Sequence, residues 1–193
     1  MLPIASADLA RWTGEAGNAA GARDQSAALL PVVERVSGPE HALTQDARLN
    51  LARWTGLAGD PDGARDQFAA LLPTRMRVFG AEHMYTLSTR SHLAYWTGEA
   101  RDPAAARDQC AELLPVLVEV LGPEHPDTLA ARGNLARWTG EAGDAAGARD
   151  QFAELLPVRE RVLGAEHPVT LTTRARLAYW TREVDGGCGS GVK

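Results

Sequence analysis

Five tryptophans stand at Trp12, Trp54, Trp96, Trp138 and Trp180, each 42 residues after the last, and the chain has no others. This constant spacing constrains the fold more than composition does. Self-similarity at a period of roughly 20–50 residues marks an array of one repeated unit. The phrase around each tryptophan repeats with it: RWTGEAGNAAGARDQS, RWTGLAGDPDGARDQF, YWTGEARDPAAARDQC and RWTGEAGDAAGARDQF. Each repeat must therefore bury the same face against its neighbour.

The fourth unit shows what that face is. HPDTLAARGNLARWTGEA, from His125 to Ala142, carries Leu129, Leu135, Ala136 and Ala142 at helical spacing. Pro126 fits the first helical turn, where a missing N–H costs nothing. Gly143 allows a turn, and Asp144 is the N-cap expected of a second helix, as are Asn18, Asp60 and Asp102 in the other units. That second helix carries Ala148, Phe152, Leu155, Leu156 and Val162. Gly164 stops it, as Gly38, Gly80 and Gly122 stop its counterparts. Pro157, repeated as Pro31, Pro73 and Pro115, falls inside the second helix and is expected to kink it. Nothing has a strand pattern.

Each unit is thus a hairpin of two helices, A then B. The units span about 1–40, 41–82, 83–124 and 125–166, with a final capping helix A over 167–183. Nine helices follow from this count, about four and a half repeats of an all-α solenoid. The Gly-rich end, residues 184–193, is expected to be disordered.

Composition narrows the function. The net charge is −5 over 193 residues, against the basic footprint that nucleic-acid binding needs. No apolar run is long enough for a membrane helix, and the N-terminus has no signal-peptide pattern, so a cytoplasmic location is expected. Two cysteines, Cys110 and Cys188, make no disulfide framework. Of the 20 Lys+Arg residues only Lys193 is lysine, which suits the GC-rich coding of an actinobacterial source.

At the motif GPEHPDTLAARGNLARWTGEAGDAAGARDQFAELLP the chain resembles tetratricopeptide repeat (TPR) proteins, in their 42-residue, kinesin-light-chain-like form. Leu135 and Ala136 match the family's Leu–small pair in helix A, Gly143 its turn glycine, and Ala148 and Phe152 its small and aromatic positions in helix B. The chain departs from the short form of the family at Arg48, Arg90, Arg132 and Arg174 early in helix A, and at Leu29, Leu71, Leu113 and Leu155 late in helix B. The resemblance implies a non-enzymatic scaffold that binds protein or peptide on the concave face lined by helix A, with no cofactor. The alternative it implies is the sensor or regulatory part of a larger signalling ATPase of the STAND type.

Several residue sets were candidates for chemistry. The tryptophans, with their large rings, are assigned to packing between hairpins. The pairs Glu40-His41, Glu82-His83, Glu124-His125 and Glu166-His167 lie a repeat apart, roughly 10 Å by helix packing. Metal ligands must meet at about 2 Å, so the pairs suit capping rather than a metal site. No phosphate loop or Ser–His–Asp set is present, so no catalytic residue is assigned. Cys110 aligns with Phe68 and Phe152 and belongs to the core. The four early arginines are expected either to bridge to Asp24, Asp66, Asp108 and Asp150 of the preceding hairpin or to face solvent.

Binding is expected where the units differ. One helix-A column reads Asp8, Asn50, His92, Asn134 and Arg176, and another, three residues on, reads Arg11, Arg53, Tyr95, Arg137 and Tyr179. Positions i and i+3 share a helix face. Arginine and tyrosine anchor interfaces, and asparagine serves both groups of a peptide backbone. Arg11, Asn50, Arg53, His92, Tyr95, Asn134, Arg137, Arg176 and Tyr179 therefore form a candidate track for an extended, acidic peptide.

Overall fold

The computed structural model describes residues 2–188, with side chains from 8 to 186. They form nine helices: α1 (Leu2–Glu15), α2 (Ala19–Ser37), α3 (Ala42–Leu57), α4 (Pro61–Phe79), α5 (Met84–Glu99), α6 (Pro103–Leu121), α7 (Pro126–Glu141), α8 (Ala145–Leu163) and α9 (Pro168–Cys188). The fold is the all-α solenoid of helical hairpins expected from the period, with the odd helices as A and the even ones as B. Two compact units divide after Ala100. In the first, α1 to α5 pack each on the next; in the second, α6 to α9 do the same.

Both hairpin corners are fixed by short-range chemistry. Asn18, Asp60, Asp102 and Asp144 cap the B helices, each side chain accepting from the backbone N–H three residues on at 2.8–3.0 Å. The turn before each cap needs a left-handed residue. Gly17, Gly59 and Gly143 supply it at φ 92°, 99° and 105°, whereas the third repeat uses Arg101 at φ 68°. His41, His83, His125 and His167 stand before the A helices. Each accepts from the N–H two residues on through Nδ1, at 3.2 Å, so the repeated histidines are helix-starting groups.

The B helices run unbroken for 19 residues through Pro31, Pro73, Pro115 and Pro157. These prolines are exposed, and so are Ala27, Ala69, Ala111 and Ala153 four residues earlier. The carbonyl that each proline leaves without a donor therefore faces water, and the apolar stripe opposite continues the helix.

The core is built on a knob and a socket. A Cβ added at Gly14 would lie 2.2 Å from the Trp54 ring, one at Gly56 would lie 2.4 Å from Trp96, and one at Gly140 would lie 2.3 Å from Trp180. Each indole therefore rests on the bare backbone of the A helix one repeat earlier. Trp96 closes a cluster with Ala52, Ala64 and Phe68, and Trp180 closes the matching one with Ala136, Ala148 and Phe152. Trp54, Trp96, Trp138 and Trp180 are buried, but Trp12 is 59% exposed. It differs from the packing role assigned to the whole series because no earlier A helix lies against it among the described residues. The socket position in α9 is Arg182.

The last helix differs from the expected boundary. It runs to Cys188, so residues 184–188 are helical where a disordered tail was expected. A formed helix gains one hydrogen bond for each residue added, and no proline interrupts this one. Residues 189–193 lie outside the described residues.

Candidate functional site

The odd helices bring the two variable columns out on one face of each unit. On α1, Arg11 pairs with Asp8 at 3.3 Å. On α3, Arg53 is exposed and its guanidinium lies 4.8 Å over the Trp54 ring, while Asn50 is half-buried. On α5, Tyr95 meets Trp96 edge-on at 5.1 Å and packs on the Ala52–Phe68 cluster. His92 stacks on Phe68 at 5.1 Å and hydrogen bonds to the Ser88 carbonyl at 2.8 Å.

The second unit repeats the pattern. Arg137 lies 4.0 Å over the Trp138 ring and binds Glu141 through Nε at 2.7 Å. Tyr179 is exposed and meets Trp180 edge-on at 4.8 Å. Asn134 and Arg176 are half-buried. The alternation of Arg and Tyr thus has a physical basis. A guanidinium and a phenol ring both stack on the neighbouring indole, the first by cation–π attraction and the second edge to face.

The bridge expected from the early arginines is not the one formed. Arg48 pairs with Glu34 at 2.7 Å, and Arg174 pairs with Glu160 at 2.7 Å, each partner lying on the preceding B helix. Asp24, Asp66, Asp108 and Asp150 instead take the arginine just before them, Arg23, Arg65, Arg107 and Arg149, at 2.7–2.9 Å. Those aspartates are exposed, and a long arginine folds back along the helix to reach them.

Sequence reasoning missed two buried arginines. Arg75 on α4 sits between α3 and α5. It donates to the Gln45 and Tyr85 carbonyls and to Thr89, and pairs with Asp46 at 2.9 Å. Arg159 on α8 sits between α7 and α9. It donates to Thr173 at 2.6 Å and to the Leu129 carbonyl at 2.7 Å. The signal was present: the core column Val33, Arg75, Leu117, Arg159 alternates aliphatic and arginine.

Burial pushes the Cys110 thiol up to about 12, so it behaves as a small apolar group. Among the described residues no three His, Cys, Asp or Glu side chains are placed to share a metal ion. No helix among them is long and apolar enough to cross a membrane.

Comparisons with known proteins fit this architecture. The tetratricopeptide repeat family matches residues 44–83 and again 85–161. No curated protein matches the chain in sequence. Among solved structures, a Podosopora anserina protein described as a kinesin light chain with nearly identical TPR-like repeats superposes with a TM-score of 0.78 at 20% identity, covering 95% of this chain and 87% of that one. A single-substitution form of it gives 0.79, at 20% identity, over 95% and 86%. BtubC (BKLC) from P. vanneervenii gives 0.72 at 19% identity, over 86% of this chain and 66% of that one. Such repeats are protein-interaction scaffolds and typically non-catalytic. With period, caps, hairpins and family matches in agreement, the chain belongs to the tetratricopeptide repeat proteins, and its fold is that of the kinesin-light-chain-like arrays.

Proposed function

We propose that the chain is a non-enzymatic scaffold that holds an extended, acidic peptide on the face of its odd-numbered helices, in the cytoplasm and without a cofactor. The observation that carries this is the seating of Arg53 and Arg137 over the Trp54 and Trp138 rings. An arginine held by an indole has already lost much of its rotamer freedom, so less entropy is lost when a carboxylate meets it. Tyr95 and Tyr179 are held in the same way and suit the apolar part of a bound chain. Asn50 and Asn134 lie three residues before the arginines on the same helices, at a distance suited to a peptide backbone. Opposite charge on the ligand would also speed encounter with these sites.

The test is a quantitative pull-down from lysate, run in parallel on the native chain and on a variant with Arg53→Ala, Tyr95→Ala and Arg137→Ala together. Partners retained by the native chain are expected to fall away from the triple variant, which keeps its far-ultraviolet circular dichroism. An identical set of partners on both would remove the helix-face reading.

A further inference from the structure

The two buried arginines occupy the same register, and only one has a counter-charge. In the first unit, the Arg75 guanidinium makes four polar contacts, one of them with the Asp46 carboxylate at 2.9 Å. In the second unit, Arg159 is 7% exposed and makes two, both to uncharged oxygens. A guanidinium has five N–H donors. The position matching Asp46 is Ala130, so the carboxylate is missing where the sequence register would place it. The Nε atoms of Arg75 and Arg159 are both buried without a partner, so the difference between the two lies in the missing carboxylate.

The surroundings increase the deficit. A Cβ at Gly133 would come within 2.7 Å of Arg159 Nη2, so the guanidinium lies against bare α7 backbone. The same column holds Leu49, Ser91 and Ala175 elsewhere. Arg132 and Arg176 flank it from α7 and α9. Burial first, and then these two like charges, hold the Arg159 pKa below the ordinary arginine value. Arg132 also lacks the acid that Arg48 and Arg174 find on their preceding B helices. Glu34 and Glu160 become Val118 in that register, and Arg132 forms no ion pair among the described residues. A buried cation without a counter-charge is unfavourable unless another group supplies one.

We propose that Arg159, with Arg132 and Arg176, forms a carboxylate-binding site that takes an acidic side chain of the bound peptide in the place that Asp46 holds beside Arg75. This deepens the proposed function and rests on it. The first unit shows such a site filled from within the chain. The Asp46 side chain is 48% exposed while its partner is 1% exposed, so the carboxylate position is reachable from water. In the second unit that position is open to a carboxylate from outside. The half-buried Arg132 and Arg176 add attraction along the approach.

The experiment uses the full chain and a short fluorescein-labelled Glu/Ala peptide, with its Gln/Ala counterpart as control, followed by fluorescence anisotropy. The native chain is expected to bind the Glu/Ala peptide and not the control. Ala130→Asp supplies the missing carboxylate internally. It is expected to weaken Glu/Ala binding by about tenfold or more, the worth of one charge-assisted hydrogen bond, and to raise the melting temperature. Arg132→Gln is expected to weaken binding without raising the melting temperature. Equal affinity in the native and Ala130→Asp chains, or a lower melting temperature for Ala130→Asp, would overturn the site. If Ala130→Asp binds like the native chain while Arg53→Ala with Arg137→Ala abolishes binding, the carboxylate site fails and the peptide-binding function stands. No binding to the native chain overturns both.

Discussion

Gly56→Ala is a substitution that local rules would call stabilising and this fold makes harmful. In an exposed helix interior, replacing glycine by alanine gains about 1 kcal/mol of helix propensity. Gly56 lies in the last turn of α3, one residue before its end, so only part of that propensity gain applies. Its new methyl would lie 2.4–2.5 Å from three carbons of the Trp96 ring. Carbon atoms pack best at about 3.5–4.0 Å, so the ring or the helix must move by about 1 Å. The ring cannot retreat freely because Ala52, Ala64 and Phe68 close around it. Overpacking of this kind costs about 1–3 kcal/mol and at times more, which outweighs the partial propensity gain. The net expectation is a loss of about 1–2 kcal/mol, with the sign opposite to that of an exposed site. Urea denaturation followed by circular dichroism measures it. The decisive control is Trp96→Leu. Alone it should cost about 3 kcal/mol or more as a large-to-small core change. In its background, Gly56→Ala should become neutral or stabilising. A Gly56→Ala chain more stable than the native one, or the same Gly56→Ala effect with and without Trp96, would refute the knob-and-socket account.

Three further outcomes follow from other features. In a Cys188→Ser background, Cys110 should resist a thiol-specific reagent in the folded chain and react on unfolding, since its thiol is pushed up to about 12; rapid labelling of the native state would contradict its burial. Arg101→Gly should raise stability by about 0.5–1 kcal/mol, because a side chain at φ 68° costs about 1–2 kcal/mol and the added chain entropy of glycine returns only part of it; a lower melting temperature would show that Arg101 has another role. Hydrogen bonding to Arg161 and Arg77 holds the Glu124 and Glu40 carboxyls below the ordinary value of 4.5. A depressed carboxyl contributes stability that is fully present above its unfolded pKa and is lost as pH falls through its folded one. Glu124→Gln should therefore lower stability slightly at neutral pH, where the contribution is fully present, and flatten its loss below pH 4.5, and an unchanged acid limb would show that the pair contributes nothing.

The frame of the molecule was legible because its signals are local or periodic. Asn18, Asp60, Asp102 and Asp144 each act within three residues, and the tryptophan interval fixes the repeat whatever the packing detail. The charged contacts were not legible in the same way. Arg48 reaches Glu34, which depends on how α2 and α3 are rotated against each other, and no spacing rule within one helix supplies that angle. Asp66 was free to seek any neighbour, and the nearest guanidinium, that of Arg65, took it. The candidate face was half legible. The two columns do stand on the odd helices, but the seating of Arg53 and Arg137 on indoles depends on rotamers the sequence does not state. Arg75 and Arg159 were not legible because burying an arginine depends on oxygens that the neighbouring helices supply, from Gln45 and Tyr85 for the first and Leu129 for the second.

The glycine socket and the tryptophan knob lie in different repeats, so no single repeat owns the lock that holds it. Gly14 serves Trp54, Gly56 serves Trp96 and Gly140 serves Trp180. The genetic unit of such an array is therefore an interval rather than a module. Excising any 42 consecutive residues from its interior, wherever the cut begins, brings a glycine and a tryptophan back to the same separation, whereas removing 41 or 43 sets the one ring that meets its socket across the cut out of register with it. Gene duplication and loss can change the length of the array without finding repeat boundaries, provided that they keep its phase.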